Sequence, residues 1–520
     1  MVAELFVSII TNFKMKKTIL FLAFCLLASL GFAQQNSTDH KITFKLKITE
    51  IENPDSVGIL WFALPYVDGK TVVNTTLFPK SPDKNGLYQQ TLAFPDSLMG
   101  KTIQYFYTAV KDNYENKGSF VLEKNKNQDR VESWGFVDGL ESKVKSTQML
   151  FLLPESPTEK AAFEKPYVGI TTNGKPVKNL FPIKKTGFPT LSIKNAVTAF
   201  LESLNAEQKA KCTFPIETEE WRRWHNIENW PRAGIGLEEM NQAQKDQVFT
   251  ILMESLSARG LKKAKNIMAM EAYLATLVLE NKDLGGEKYW FTFFGTHSDT
   301  EPWGWQIEGH HLVINYFVLG DQVVMSPVFM GSEPTLIETG DNKGLRTYEI
   351  EERKGLDFYQ SLNTKQKKKA TLWHKKEFDF NRGEAFRDNE IIATTGLSAK
   401  ELSKEQRSDL LDLIEEYVSS IRDGHSKIKM EEVKTHLQET HFTWVQGDKI
   451  DGPFYYRIHS PVILIEFDHQ VPVFLPDKTT PNRVPVKTHI HTVVRTPNGN
   501  DYGKDLLKQH LELHRKGVKH

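Results

Sequence analysis

The sequence is poor in cysteine and has no net charge, and each shortage excludes a class of protein. Its 520 residues contain two cysteines, Cys25 and Cys212. Because Cys25 lies in a segment that we expect to be removed, no disulfide framework can form in the mature chain. Lys plus Arg and Asp plus Glu both total 66. The balanced charge provides no overall field for nucleic acid or an anionic membrane, so we expect no nucleic-acid partner.

Long apolar runs are also lacking, and the first 33 residues have the features of a secretory signal. Lys16 and Lys17 follow Met15, where we expect translation to start, and an apolar stretch (19–30) precedes the small-x-small cleavage site at 31–33. This stretch is shorter than the roughly 20 residues that span a bilayer. No later run reaches that length. We therefore expect a secreted or periplasmic protein with no membrane span in the mature chain.

Residues 40–152 have the pattern of an all-β module. From Lys41 to Ile51 apolar and polar residues alternate, which is typical of a strand with one buried face. Further short strands separated by turn residues predict an immunoglobulin-like sandwich. Residues 153–190, rich in proline, lysine and glycine, show no sustained period and are interpreted as a linker.

The rest of the chain is an internal duplication with repeats at 191–350 and 351–520. An amphipathic helix at 196–211 is echoed by 356–370, and a second at 236–257 by 396–419. Residues 261–280 predict a helix that only the first copy has. Residues 291–319 align with 442–467 at a constant offset. Each half is therefore predicted to run from helices into an antiparallel sheet, an α+β fold with a ligand groove between the halves.

Two histidines distinguish the copies. His310 and His311 stand where the second copy has Pro461 and Val462. Residues that determine the repeated fold must occur in both copies, whereas a polar residue found in only one copy can have a catalytic or ligand-binding role. We expect a hairpin turn at 308–309. Alternation along the following strand would then place the two rings on opposite faces of the sheet.

A second histidine pair lies near the end of the chain. His489 and His491 are two residues apart on a predicted strand, so both rings should emerge on one face, within reach of a single ion. His510 and His514 are four apart on a predicted helix, where they also complement the helix dipole. Neutral imidazoles suit zinc or another divalent transition metal. The candidate metal ligands are His310, His311, His489 and His491.

Several long motifs resemble one protein family. They include Glu220–Trp224, Glu301–Gln306, Gly309–Leu312, Phe329–Gly331 and Asn500–Gly503. This ordered set, which covers about residues 180 to 515, is similar to the family named domain of unknown function 3500. The resemblance implies export, and it carries no established activity.

The remaining candidates concern a substrate. Tryptophans could form the walls of a site for a small molecule or glycan, and arginines could hold an anionic group. The candidate substrate-binding residues are Trp221, Arg222, Trp303, Trp305, Gln306, Arg457, Arg495 and Asp501. No Gly-x-Ser-x-Gly elbow and no phosphate-binding glycine loop occurs in the sequence. Two functions stay open: a metal-dependent hydrolase or lyase acting on a polar or carbohydrate-like substrate, or a non-catalytic glycan-binding or scaffold protein.

Overall fold

A computed structural model describes residues 162–517 of the chain, apart from 279–280, 377, 447–450 and 476–483. Before residue 162 it describes 40–48, 57–64, 74–79, 81–94, 98, 102–109, 114–121, 130–134 and 142–146. The predicted signal segment, with Cys25, lies outside these residues. The chain divides into two units, Met1–Pro157 and Thr158–His520. Among the described residues no helix is long and apolar enough to cross a membrane.

The first unit contains a β-sheet. Its strands are β1 His40–Ile48, β2 Val57–Leu64, β3 Asn74–Leu77, β4 Tyr88–Phe94, β5 Thr102–Ala109, β6 Tyr114–Val121, β7 Arg130–Trp134 and β8 Ser142–Ser146. They follow the order β3-β2-β5-β6-β8-β7-β1-β4. Ile42, Phe44 and Leu46 of β1 are buried at alternate positions, as the period of the sequence predicts.

The second unit combines helices with a larger sheet. Its helices are α1 Leu191–Ser203, α2 Ala206–Cys212, α3 Gln242–Ser255, α4 Ala258–Leu277, α5 Glu349–Ser361, α6 Thr364–Ala370, α7 Lys404–Val418, α8 Asp423–Thr435 and α9 Lys504–Arg515. The strands of the first repeat are β9 Thr213–Phe214, β10 Ile235–Gly236, β11 Tyr289–Gly295, β12 Trp303–Gly309, β13 Leu312–Leu319 and β14 Gln322–Ser332. Those of the second are β15 Thr371–Trp373, β16 Leu397–Ser398, β17 His441–Gln446, β18 Phe454–His459, β19 Leu464–His469 and β20 Ile490–Arg495. The mixture of helix and sheet confirms the predicted α+β class.

The two repeats share one 12-stranded sheet. Its order is β10-β11-β12-β13-β14-β20-β19-β18-β17-β15, with β9 on β11 and β16 on β17. The order mirrors itself about the β14–β20 pair, where Met330 lies opposite Thr492 in an antiparallel ladder. The last strand of each copy therefore joins the copies edge to edge.

The faces of this sheet pack against different layers. Phe293 packs with the large core that contains Ile251 of α3 and Leu413 of α7. The next residue, Phe294, packs with Trp221 and other residues of a separate cluster. This alternation places helices on one face and irregular segments on the other.

The helices correct two predictions from the sequence. The single helices expected at 196–211 and 356–370 are each divided into two, α1 with α2 and α5 with α6, because Asn205 and Asn363 cap a new helix there. The expectation that only the first copy has a third long helix is wrong, because α8 occupies in the second copy the place of α4. Leu256 and Ile421, which precede these helices, pair with each other. Helix α8 has three buried residues, His425, Met430 and Val433, so its apolar period is too weak to see in the sequence.

Candidate metal centre

Three histidines from the two repeats converge on one point. His311, His489 and His491 each offer a ring nitrogen, and these atoms all lie within 4.8 Å of one another. His489 Nε2 lies 3.0 Å from His491 Nε2. The three residues are 2%, 3% and 7% exposed. The arrangement places three imidazoles in the interior beside the junction of β14 and β20.

His311 reaches the cluster from a tight turn. Gly309 pairs with Leu312, so His310 and His311 form the two-residue connection between β12 and β13. Of the two turn residues only His311 has a positive φ, 60°, which is a left-handed conformation that tight turns allow at their second position. The prediction of a turn at Glu308-Gly309 is therefore wrong. Gly309 instead allows the close approach of β11, because a Cβ there would lie 2.5 Å from the Lys288 carbonyl oxygen.

The position in a turn also overturns the expectation that His310 and His311 face opposite sides. Their rings stack, with centroids 3.7 Å apart. His310 Nδ1 lies 2.7 Å from Glu271 Oε1, and His311 Nδ1 lies 3.5 Å from Glu271 Oε2. Strand alternation does not govern turn residues, so one carboxylate of α4 contacts both rings. His310 thus contacts Glu271, while His311 joins the cluster.

Each ring of the cluster has an oxygen partner at Nδ1. His489 Nδ1 donates to the Val471 carbonyl at 2.8 Å, and His491 Nδ1 lies 2.8 Å from Glu384 Oε1. With Glu271 beside His311, all three Nδ1 atoms face acceptors. A proton held at Nδ1 leaves Nε2 with its lone pair, which is the form that binds a metal.

Gly331 makes room for two of the rings. It lies opposite His491 in the β14–β20 ladder. A Cβ at this position would lie 2.7 Å from His311 Cδ2 and 2.9 Å from His491 Cδ2. Such contacts are too short for a real side chain, so the absence of a side chain at Gly331 allows the two imidazoles to approach.

The surroundings hold the histidines in different charge states. Burial raises the pKa of Glu271, but the adjacent His310 and the imidazole hydrogen bonds outweigh it and bring the pKa to about 2. Burial lowers the pKa of His310, yet Glu271 outweighs it and the net shift is upward. For His311 and His491, burial and then the neighbouring histidine lower the pKa well below the usual value. The two rings are therefore neutral imidazoles, as metal ligands must be.

The donor set matches one kind of metal site. Metal–nitrogen bonds of about 2.1 Å place tetrahedral ligands roughly 3.4 Å apart, close to the His489–His491 separation. Three protein ligands leave a fourth position for water or substrate, as in catalytic zinc sites. Glu333, near His489, accepts hydrogen bonds from the backbone N–H groups of Val473, Phe474 and Leu475 instead. Among the described residues the cluster therefore consists of three imidazoles.

The aromatic candidates for substrate binding lie inside the fold. Trp221 is 1% exposed and stacks on Phe294, while Trp303 and Trp305 are fully buried in the helix-side core. Gln306 donates to the Trp221 carbonyl and to Asn315. The structure places these four side chains in packing and hydrogen bonds of the second unit.

The charged candidates lie in buried polar contacts, and Arg495 donates to the backbone carbonyl of Glu384, whose side chain contacts His491. Arg495, which is fully buried, contacts Asp388 at 2.6 Å and Asp501 at 3.0 Å. Arg222 contacts the other oxygen of Asp388 at 2.8 Å. Arg457 donates to Thr395. Arg222, Arg495 and Asp501 thus belong to one network that fixes the C-terminal segment to the irregular layer.

Sequence reasoning missed the residues that support the cluster. Glu271 lies on α4 and Glu384 in the segment before β16, far in sequence from the rings they contact. No spacing links them to a histidine. Gly331 belongs to the Phe329–Gly331 motif, but nothing in the sequence shows that a glycine is needed there to accommodate the rings of His311 and His491. His510 and His514 lie apart from the cluster and contact Glu301.

Comparison with known proteins identifies a family and little else. The sequence model of the family described as protein of unknown function (DUF3500) matches residues 186–504, a range that includes all three histidines of the cluster. No curated protein matches the chain. No solved structure matches it either.

Proposed function

The chain belongs to the DUF3500 family, and from its three-histidine cluster we propose that it is an exported metal-dependent enzyme, a hydrolase or lyase. His311, His489 and His491 would bind a divalent transition metal such as zinc through their Nε2 atoms. The carrying observation is that every Nδ1 in the cluster already faces an oxygen. Buried imidazole N–H groups need such acceptors in any protein, but with the protons held at Nδ1 the Nε2 lone pairs of His489 and His491 face each other at 3.0 Å, and a bound metal would satisfy both.

The chemistry follows from the open fourth position. A metal bound there would polarise a carbonyl group or lower the pKa of a bound water. The chain's own contribution is to fix the three rings: Glu271 and Glu384 orient His311 and His491, and Gly331 lets the rings approach.

Carboxylates around the cluster support a choice of substrate. Glu271, Glu333 and Glu384 all lie beside its histidines. The charge of these carboxylates would offset that of a divalent ion and leave no excess positive charge to attract an anion, so we propose a neutral polar molecule of the carbohydrate class as substrate. It would enter where the two repeats meet.

The N-terminal region completes the proposal. The signal-like sequence of residues 1–33 supports export to the periplasm or the medium. We propose that the first unit is an immunoglobulin-like sandwich. The alternating burial in β1 supports this assignment.

Metal analysis of the purified mature protein is the direct test. After zinc-supplemented preparation we expect the wild type to contain bound zinc, and the double variant His489→Ala/His491→Ala to contain about one equivalent per chain less. His311→Asn is a milder variant, since Asn tolerates the left-handed backbone at this position. Gly331→Ala keeps every ligand but displaces two rings, so zinc affinity should fall by at least about tenfold.

Controls make the outcome specific. His374→Ala removes an exposed histidine and should leave the metal content unchanged. Activity is then compared between zinc-loaded and chelator-treated protein on neutral ester, amide and glycoside substrates. A wild type without bound metal would refute the metal centre, and turnover that survives chelation would refute the metal-dependent mechanism.

The burial of the cluster supports a second candidate, a non-catalytic glycan-binding or scaffold protein. At 7% exposure or less, the histidines could hold a metal that only fixes β14 to β20. In that case metal removal would lower thermal stability, and the loaded protein would bind glycans without converting them.

A further inference from the structure

A second set of metal-ligating side chains lies at the C-terminal helix. His510 and His514 are four residues apart on α9, and Glu301 lies in the connection between β11 and β12. One donor atom from each of the three lies within 4.8 Å of the others. This set shares no residue with the buried cluster.

The distances fit a shared ion. His510 Nε2 lies 3.1 Å from Glu301 Oε2, and His514 Nε2 lies 3.9 Å from Glu301 Oε1. Ligands of a tetrahedral zinc ion are separated by roughly 3.4 Å. The two rings have centroids 4.2 Å apart, as the helical spacing requires. The three donors therefore already stand near the positions that a metal would impose.

Burial gives this set a different character from the three-histidine cluster. His510 is 2% exposed, whereas His514 is 45% and Glu301 51% exposed. The inner ligand is held by the fold, and the outer two face solvent and leave a route for the ion. Two imidazoles with one carboxylate form a ligand set that zinc accepts.

We propose that Glu301, His510 and His514 form a second, solvent-accessible site for a divalent transition metal. The site would fasten α9 to the first repeat across a sequence separation of 209 residues. Binding to the folded chain alone would stabilise it by mass action. The site does not depend on the function proposed above.

Zinc titration of the full mature chain tests this site. After removal of metal by a chelator, we expect two equivalents of zinc to bind to the wild type and one to His514→Ala or Glu301→Gln. Both substitutions change exposed side chains, and circular dichroism would verify that each variant is folded. Zinc should also raise the melting temperature of the wild type more than that of His514→Ala.

His436→Ala is the matched control. His436 forms a histidine–carboxylate pair with Glu439 at 2.7 Å but belongs to no three-donor group among the described residues. This variant should retain both equivalents. If His514→Ala still binds two equivalents of zinc, the second site does not exist. The same conclusion follows if the wild type binds a single equivalent that is lost in His491→Ala and kept in His514→Ala. If the wild type binds a single equivalent that is lost in His514→Ala and kept in His491→Ala, the second site is supported and the buried three-histidine centre is refuted.

Discussion

Single residues show how the interior of this protein selects a charge state. The duplication places Glu308 and His459 at equivalent positions, and they are 2% and 4% exposed. Burial raises the pKa of Glu308 to about 8. Burial, followed by repulsion from Arg457, lowers the pKa of His459 to about 3. An acidic and a basic side chain are thus both shifted toward their neutral forms, because burial disfavours the charged form of either.

His459 gives a prediction about pH. Its pKa in the folded chain lies below the usual 6.5, so the unfolded chain binds a proton there that the folded chain does not. Stability must therefore fall as the pH decreases from 6.5 toward 3. We expect a loss of about 2 kcal/mol between pH 6.5 and pH 5 from this residue alone. Urea denaturation at the two pH values should show the loss reduced by that amount in His459→Gln.

A control for this experiment is the substitution of a solvent-exposed histidine. His374→Gln, at an exposed position, should keep the pH dependence of the wild type. If His459→Gln and the wild type lose equal stability over this range, His459 is protonated alike in both states and the assignment fails.

Among the helices, the duplicated segments 196–211 and 356–370 contain equivalent N-terminal caps. Asn205 and Asn363 begin α2 and α6, each in a capping box with a glutamine three residues later. These glutamines, Gln208 and Gln366, also exchange hydrogen bonds with a glutamine of the following long helix, Gln244 in the first copy. The asparagine and glutamine shared by the two copies therefore form the same junction between helices in each copy.

Removal of the caps should have the same effect in both copies. Asn205→Ala and Asn363→Ala each leave first-turn N–H groups without an acceptor, and each should lower the free energy of unfolding by about 1 kcal/mol. Guanidinium denaturation measures the change. Lys368→Ala, at an exposed position of α6, should be nearly neutral. A cost in one copy only would show that the two junctions are not energetically equivalent.

In the whole molecule, the second unit holds everything that the proposed centre needs. Its ligands and their oxygen partners fall within Thr158–His520, which has its own core. We expect a chain that starts at residue 158 to fold and to bind zinc with the stoichiometry of the full-length protein. Circular dichroism and metal analysis would measure both. An unfolded fragment, or one that has lost zinc, would show that the first unit contributes to the site.

Much of this architecture was readable from the sequence because repetition and period are local signals. The α+β class, the family and the alternation in β1 follow from patterns within short windows. The turn at His310 and His311 could not be located from the sequence, because a glycine such as Gly309 is equally typical of a turn and of a strand position that another backbone segment approaches closely. Only the contact with Lys288 decides between them. Helix α8 was missed for lack of buried positions.

Residue identities are enough to show that the two copies of this duplicated chain differ in histidine, because His310 and His311 align with Pro461 and Val462. Which histidines come into contact depends on the packing of the folded chain. The pairing of β14 with β20 brings residues of the two repeats together, the left-handed backbone at His311 turns its ring toward His491, and carboxylates from distant segments orient both rings. These contacts join residues far apart in the chain, and no periodicity along a sequence encodes such distances.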